Sequence, residues 1–423
     1  SAKQEVQATV TAVSPSQIAS NAGTGQSNSS AGTGQSNSSA GTGQSNSSAG
    51  TGQSNSSAGT GQTGANNPPV DKPVQVSALQ ITGIVPNNVS RYGGERINIQ
   101  GSGFVDGATV SIGGKNAIGV TFNSASSISV TTPTGSVGTA SVVVTNPGGQ
   151  TTTLTTGYAY DNRIPVNYVK VLANTDLNVP EFYVAKYEMK NVDGVATSQA
   201  AAEPWLLTWR ESREAAIARC QELSPNYDLI SNAQWQALAR DIETARDGLT
   251  YLNWSSNDVN GTAIINSGHS DNVPPRALPA SSQDVEPCMG TGNFSCAIKS
   301  SPTEFSQKRT HTLKSGDVVW DVAGNVWEWV KDDVTVAAPG LFDYANRFKN
   351  SADKINLGSS SSYSSRKSNS GLGFMWLRPA DIAGTKVRRG HSYNGGQFSG
   401  VFSAWLGVSH AATPTGFRCV LRP

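Results

Sequence analysis

The sequence predicts a multidomain chain of three unlike parts: a disordered repeat tether, a small all-β sandwich and a larger α+β domain. Three observations predict it. A nine-residue unit, AGTGQSNSS, repeats four times without change from Ala22 to Ser57. From Val76 to Tyr160, short alternating runs of Val, Ile and Thr are divided by Gly and Pro, the signature of short antiparallel strands. Beyond that point, strand-like runs are mixed with two helix-start signals, each a Ser or Thr followed three residues later by Glu or Gln. A chain of 423 residues is long for one domain, so two or three units, each with a core of its own, are expected.

The tether comes first. Residues 1–70 hold almost nothing that can enter a core, so the entropy of ordering the backbone goes uncompensated. A stacked solenoid would need a recurring large apolar residue, and the repeat has none. Asn-Ser-Ser in each unit is a formal glycosylation acceptor, a weak match in so Ser-rich a tract. The chain begins at Ser1 with neither Met nor a signal peptide, which leads us to expect a removed leader or an artificial start.

Charge and cysteine content limit the partners. Lys plus Arg number 31 against 30 Asp plus Glu, a net of +1, which argues for no nucleic-acid partner and no acidic lipid surface. After Asp381 there is no acidic residue, and Lys386, Arg388, Arg389, Arg418 and Arg422 are interleaved with Gly and apolar residues, as arginines of a structural frame are. No apolar run approaches the roughly 20 residues of a membrane helix. The four cysteines, Cys220, Cys288, Cys296 and Cys419, fit no zinc spacing. An even count in a Gly-, Ser- and Thr-rich chain points to disulfides and an oxidising exterior. Cys288 and Cys296 bracket one Gly-containing loop and form the first expected pair; Cys220 with Cys419 is the second, by elimination. The alternative is four reduced thiols, two of them buried.

In the second part, ITGIVPNNVSRYGGERINIQGSGFVDGATVSIGG and ISVTTPTGSVGTASVVVTNPGG resemble the IPT/TIG family of immunoglobulin-like domains. The resemblance covers 71–160 and implies an immunoglobulin-like sandwich acting as a spacer or interaction module. Glycines 93, 94, 101, 103, 113, 114, 148 and 149 suit its turns.

The third part is 161–423. Thr208 with Glu211 makes a capping box in front of a helix whose Trp209, Ala216, Ile217 and Cys220 share one face. Ser231 with Gln234 makes another, with Trp235, Leu238, Ala239 and Ile242 on the buried side of its helix. From Leu252 to Ser306 and from Thr335 to Asn369 the chain reads as loop. Loops this long are functional or pinned by staples or ions.

VWDVAGNVWEWV (319–330), FYVAKYEM, LTWRESREAAIARC, SNAQWQALAR and the closing RGHS to GFRC stretch together resemble the formylglycine-generating-enzyme type of C-type lectin fold. In the oxidases of that family two cysteines in the last segment hold copper. Their places here fall on Gly395 and Gly400, and no Cys lies between 297 and 418, so oxidase activity is not expected. The related sulfoxide synthases use clustered histidines; His269, His311, His391 and His410 have no such spacing. Asp321, Glu328, Asp332 and Asp333 would supply an acid and base pair in a divergent enzyme. We expect them instead to hold loops, or a structural calcium ion. Ser392 has no nucleophile elbow. The EPN, QPD and WND sugar-binding triplets are absent, so the lectin fold carries no expectation of sugar binding. No catalytic residue, metal site or other cofactor is expected.

The tail also resembles the variable segments of proteins diversified by diversity-generating retroelements, in which a fixed pattern is interleaved with rewritten positions. Arg389, Gly390, Ser392, Gly400, Val401, Phe402, Leu406, Gly416, Phe417 and Arg418 fall on the fixed pattern. His391, Tyr393, Asn394, Gln397, Phe398, Ser403, Trp405, Gly407, Val408, Ser409 and His410 fall between them, and the resemblance makes these the ligand-binding residues. Most are reachable from an AAC codon by changing only its adenines; Gln397 and Trp405 are not. Aromatic contact residues give large rigid area at low entropy cost. The expected protein is a surface-displayed receptor or adhesin with its ligand site in 388–419. It would sit at the cell surface, anchored through the N-terminus by a lipid, or on a phage particle. Its ligand would be an unspecified protein or cell-surface molecule. The alternatives are a divergent enzyme of the same fold and a structural protein with a fixed interface.

Overall fold

The computed structural model describes residues 77–207, 213–259, 262–291, 296, 298–299, 305–334, 357–359, 371–377, 385–406 and 415–423. The predicted tether and the capping box at Thr208 and Glu211 lie outside the described residues. Those described belong to one compact unit, Pro73–Pro423.

Residues 80–161 form a sandwich. One sheet runs Gln80–Val85, Arg96–Ser102, Ser127–Thr131, Ile118–Ser124, and the facing one runs Thr151–Leu154, Val142–Thr145, Thr109–Ile112, Lys115–Asn116. The period-2 alternation of side chains explains the core. Ile97 and Ile99 point inward from Arg96–Ser102 and are buried, while Asn98 between them lies on the other face, where its Nδ2 donates to Ser127 Oγ at 3.0 Å. Val110, Ile112, Ile128, Val130, Val142 and Val144 fill the rest with Tyr158 and Tyr160.

The sandwich is clasped to residues 161–423. Glu95 accepts from Arg163 Nη1 at 2.9 Å and from the Val166 N–H at 3.0 Å, fixing the connecting segment. Tyr227 Oη donates to Gly93 O at 2.8 Å, Ser224 Oγ donates to Tyr92 O at 3.0 Å, and Arg96 pairs with Asp193. Tyr92 and Ile118 of the sandwich pack on the core of the C-terminal part, around Leu223 and Tyr227.

In residues 161–423, a sheet runs Tyr168–Val171, Phe182–Ala185, Cys419–Leu421, Tyr227–Leu229, so the last strand of the chain is held between two early ones. A mixed sheet runs Met375–Leu377, Ala404–Leu406, Thr385–Arg389, Trp327–Val334, Thr415–Phe417, with its first and last pairings parallel. Two α-helices are described: α1, Arg213–Gln221, and α2, Asn232–Thr244. α1 buries Ala216 and Cys220, with Ile217 half-buried; Trp209 lies outside the described residues.

The α2 capping box is complete: Ser231 Oγ accepts from the Gln234 N–H at 3.1 Å, and Gln234 Oε1 accepts from the Ser231 N–H at 3.0 Å. Trp235, Leu238, Ala239 and Ile242 are fully buried, but so are Gln236 and Glu243 on the side the sequence marks as solvent-facing. The expected buried side is buried, and the helix is enclosed beyond it. Distant segments cover the polar face: Gln236 Nε2 donates to Gly358 O, Ser359 Oγ donates to Glu243 Oε1, the Trp254 Nε1–H donates to Glu243 O at 2.8 Å and the Lys314 N–H to Asp241 Oδ1 at 2.7 Å.

Candidate ligand-binding site

The fixed pattern of the tail is a buried frame. Arg389, Gly390, Ser392, Gly400, Val401, Phe402, Leu406, Gly416, Phe417 and Arg418 are all buried. Arg389 Nη2 donates to Gln236 Oε1 at 2.7 Å, and Trp235 Nε1 donates to Val401 O at 2.9 Å, so α2 grips the segment at both points. Gly390 has φ +84° and lies under the Trp235 ring. A Cβ at Gly400 would stand 2.2 Å from Gly371 O. That position therefore admits no side chain, let alone a copper-binding thiolate. Arg418 pairs with Glu328, both fully buried, and donates to Ala185 O at 2.8 Å and Trp320 O at 2.9 Å.

The interleaved residues divide. Asn394 and Phe398 are exposed, and His391, Tyr393 and Trp405 are half-buried. Their backbone is pinned from below: the Tyr393 N–H donates to Asn325 O at 2.9 Å, the Gly396 N–H to Ser270 O at 2.6 Å, and the Phe374 N–H to Phe398 O at 3.1 Å. Ser403 does not belong to this face. It is fully buried, and its Oγ donates to Phe398 O at 2.7 Å, so it secures the turn and cannot touch a ligand. Gln397 lies in the short Gly396–Phe398 helical turn, and its side chain is not among those described. Gly407, Val408, Ser409 and His410 lie outside the described residues.

Rings dominate the face. His391 lies 4.4 Å from Trp327 between centroids, Trp327 meets Trp405 edge to face at 6.2 Å, and Phe374 meets Phe398 at 5.2 Å. With Ala404 they enclose a cavity of about 130 Å³. Beside them the buried Arg388 guanidinium lies 5.7 Å from the Trp327 ring centre, 5.5 Å from Trp329 and 5.3 Å from Trp405. Strand pairing explains the cluster, because Arg388 stands opposite Trp329 on one side and Trp405 on the other, and paired residues share a face. Burial lowers its pKa to about 10, so it stays charged at neutral pH. Burial also lowers that of His391 to about 4, with Arg388 adding to the effect.

Trp327, Phe374 and Arg388 are site residues that the pattern of the tail does not reveal. Trp327 sits in the VWEW motif, where the alternation already sets it on the same sheet face as Trp329. Nothing in the sequence around Phe374 gives it away.

The acidic candidates for chemistry are otherwise engaged. Asp321 accepts two hydrogen bonds from Arg309, both at 2.7 Å, and Glu328 is held by Arg418. Asp332 accepts from the Asn232 N–H at 2.9 Å, and Asp333 pairs with Arg213. Asn325 joins loop and strand, accepting from the Leu278 N–H at 2.7 Å and donating to Glu188 Oε2 at 2.6 Å. Burial, then the neighbouring Asp321 charge, pushes the Glu188 pKa well up. His269 and His311 are buried with their Nε2 atoms on backbone carbonyls. Among the described residues no group of three or more His, Cys, Asp or Glu is placed to hold a metal ion. The cysteines are joined Cys220 to Cys419 and Cys288 to Cys296. The first bond ties α1 to the last strand.

Comparison with known proteins agrees with the sandwich. Residues 79–160 match the IPT/TIG domain family, and they form an IPT/TIG domain. No curated protein matches the chain. Among solved structures, the plexin A4 extracellular region is 18% identical over 20% of this chain and 9% of that one, with a TM-score of 0.19. A putative phosphatase from Bacteroides thetaiotaomicron is 21% identical over 28% of this chain and 22% of that one, TM-score 0.18. An auxiliary nutrient binding protein from the same organism is 15% identical over 24% and 25%, TM-score 0.17. The chain thus spans no more than a quarter of any of these three. Among the described residues no helix is long and apolar enough to cross a membrane.

Proposed function

We propose that this chain is a surface-displayed, non-enzymatic ligand-binding protein, a receptor or adhesin. In this reading an IPT/TIG spacer carries a head of the formylglycine-generating-enzyme type of C-type lectin fold. Segment 388–419 of the head is rewritten by a retroelement to vary specificity. The observation that carries the reading is the split within the tail. All ten residues on the fixed pattern are buried, whereas His391, Tyr393, Asn394, Phe398 and Trp405 between them reach solvent over a pinned backbone. Such a surface exchanges side chains without disturbing the core. Engagement of Asp321 by Arg309 and of Glu328 by Arg418 weighs against acid–base chemistry there. Two disulfides and an immunoglobulin-like spacer suit the cell exterior, and a lipid near the N-terminus would anchor the chain.

The test is to sequence the encoding locus. The reading expects a neighbouring reverse-transcriptase gene and a near-copy of the DNA for 388–419 that differs only at adenines of the copy. Absence of both refutes diversification and leaves a fixed interface.

A further inference from the structure

The cavity on this face is small and ringed by aromatic side chains. Trp327, Phe374, His391, Phe398, Ala404 and Trp405 enclose about 130 Å³, close to the roughly 150 Å³ of an engineered apolar cavity that takes up one benzene. A six-membered ring entering it meets indole and phenyl groups on several sides, in the edge and offset contacts that aromatic pairs prefer.

Two features narrow the guest. The Arg388 guanidinium already lies 5.7 Å and 5.3 Å from the Trp327 and Trp405 ring centres. It is buried, its Nη2 has no hydrogen-bond partner, and among the described residues no carboxylate pairs with it. The indole faces are thus engaged by a resident cation, and a second positive charge in the cavity would be repelled through a poorly screened medium. The second feature is His391. Its Nδ1 accepts from the Ser392 N–H at 2.8 Å, which places the ring proton on Nε2. Among the described residues that N–H has no partner, so a ring that lines the cavity still has a hydrogen bond to give.

We infer that this cavity is the anchor subsite of the face and takes the phenol ring of a tyrosine side chain displayed by a partner protein. Its oxygen accepts from His391 Nε2–H. The identity of the partner as a protein rests on the receptor reading above; the preference for an uncharged, oxygen-bearing ring rests on the cavity alone.

The test titrates the full chain with p-cresol, toluene, benzyltrimethylammonium and methyl glucoside, followed by saturation-transfer NMR. For a fragment of this size the p-cresol Kd should be on the order of 1 mM. We expect toluene to bind severalfold more weakly, the cation at least tenfold more weakly, and the glycoside not at all. Trp405→Ala should weaken p-cresol at least tenfold, and Phe398→Ala, at an exposed position that leaves the fold alone, severalfold. Preference for the cation or the glycoside overturns the assignment. So does p-cresol binding that neither substitution changes, or no p-cresol binding at all. If p-cresol binds but the locus holds no template copy, the cavity stands and the diversified face fails. A template copy with no p-cresol binding has the reverse meaning.

Discussion

Ser403 and Phe398 are joined by one hydrogen bond, from the serine hydroxyl to the phenylalanine carbonyl, yet they play opposite parts. The serine is sealed beneath the face and the ring stands on it. In the sequence both fall between fixed positions, and a small polar residue next to Phe402 gives no sign of its depth. Alternation fails here because the turn around Gly400 bends the chain by close backbone approach to Gly371 and not by a strand or helix repeat. Histidines are equally hard to place from sequence. Burial holds His391 and His311 near pKa 4, below the ordinary 6.5. Folding therefore favours their neutral forms. That contribution to stability is complete above about 6.5 and is lost as pH falls toward about 4. Histidine-selective NMR titration of the folded chain should find both rings still neutral at pH 5.5; titration near 6.5 would contradict their placement.

At the scale of elements, the legible features are those set by local chemistry. Ser231 and Gln234 mark where α2 begins, because a hydroxyl and an amide at that spacing satisfy two orphan backbone donors. The period of Trp235, Leu238, Ala239 and Ile242 marks its inner face. The burial of Gln236 and Glu243 is not legible, since their cover comes from distant loops. Gln236 also explains why α2 matters to the site, for it holds Arg389 of the frame. Ser231→Ala should cost about 1 kcal/mol, a fall of roughly 2–4 °C in melting temperature for a domain of this size. A thermal melt with no shift would show that the cap adds nothing once the helix is enclosed.

Among the described residues, the sandwich and the C-terminal part share a boundary of specific contacts: Glu95 on the connecting segment, Tyr227 on Gly93, and Tyr92 and Ile118 in the adjoining core. The IPT/TIG segment is readable because its turns and alternating strands are local features. Its contacts with Tyr227 and Asp193 are not, being made by residues more than ninety positions away. The tail is half legible. The ten positions that the resemblance assigns to the fixed pattern are all buried, but the depth of Ser403 among the interleaved ones, and the contribution of Trp327 and Phe374 from other segments, cannot be read there. The central claim is that a rigid buried frame carries an exchangeable surface. Saturation substitution across 388–419, with every variant scored for folded protein, tests it most directly. The account predicts wide tolerance at Tyr393, Asn394, Phe398 and Trp405, and collapse at Arg389, Gly390, Gly400, Phe402, Ser403 and Arg418. Equal intolerance at both sets would contradict it and make the face part of the core.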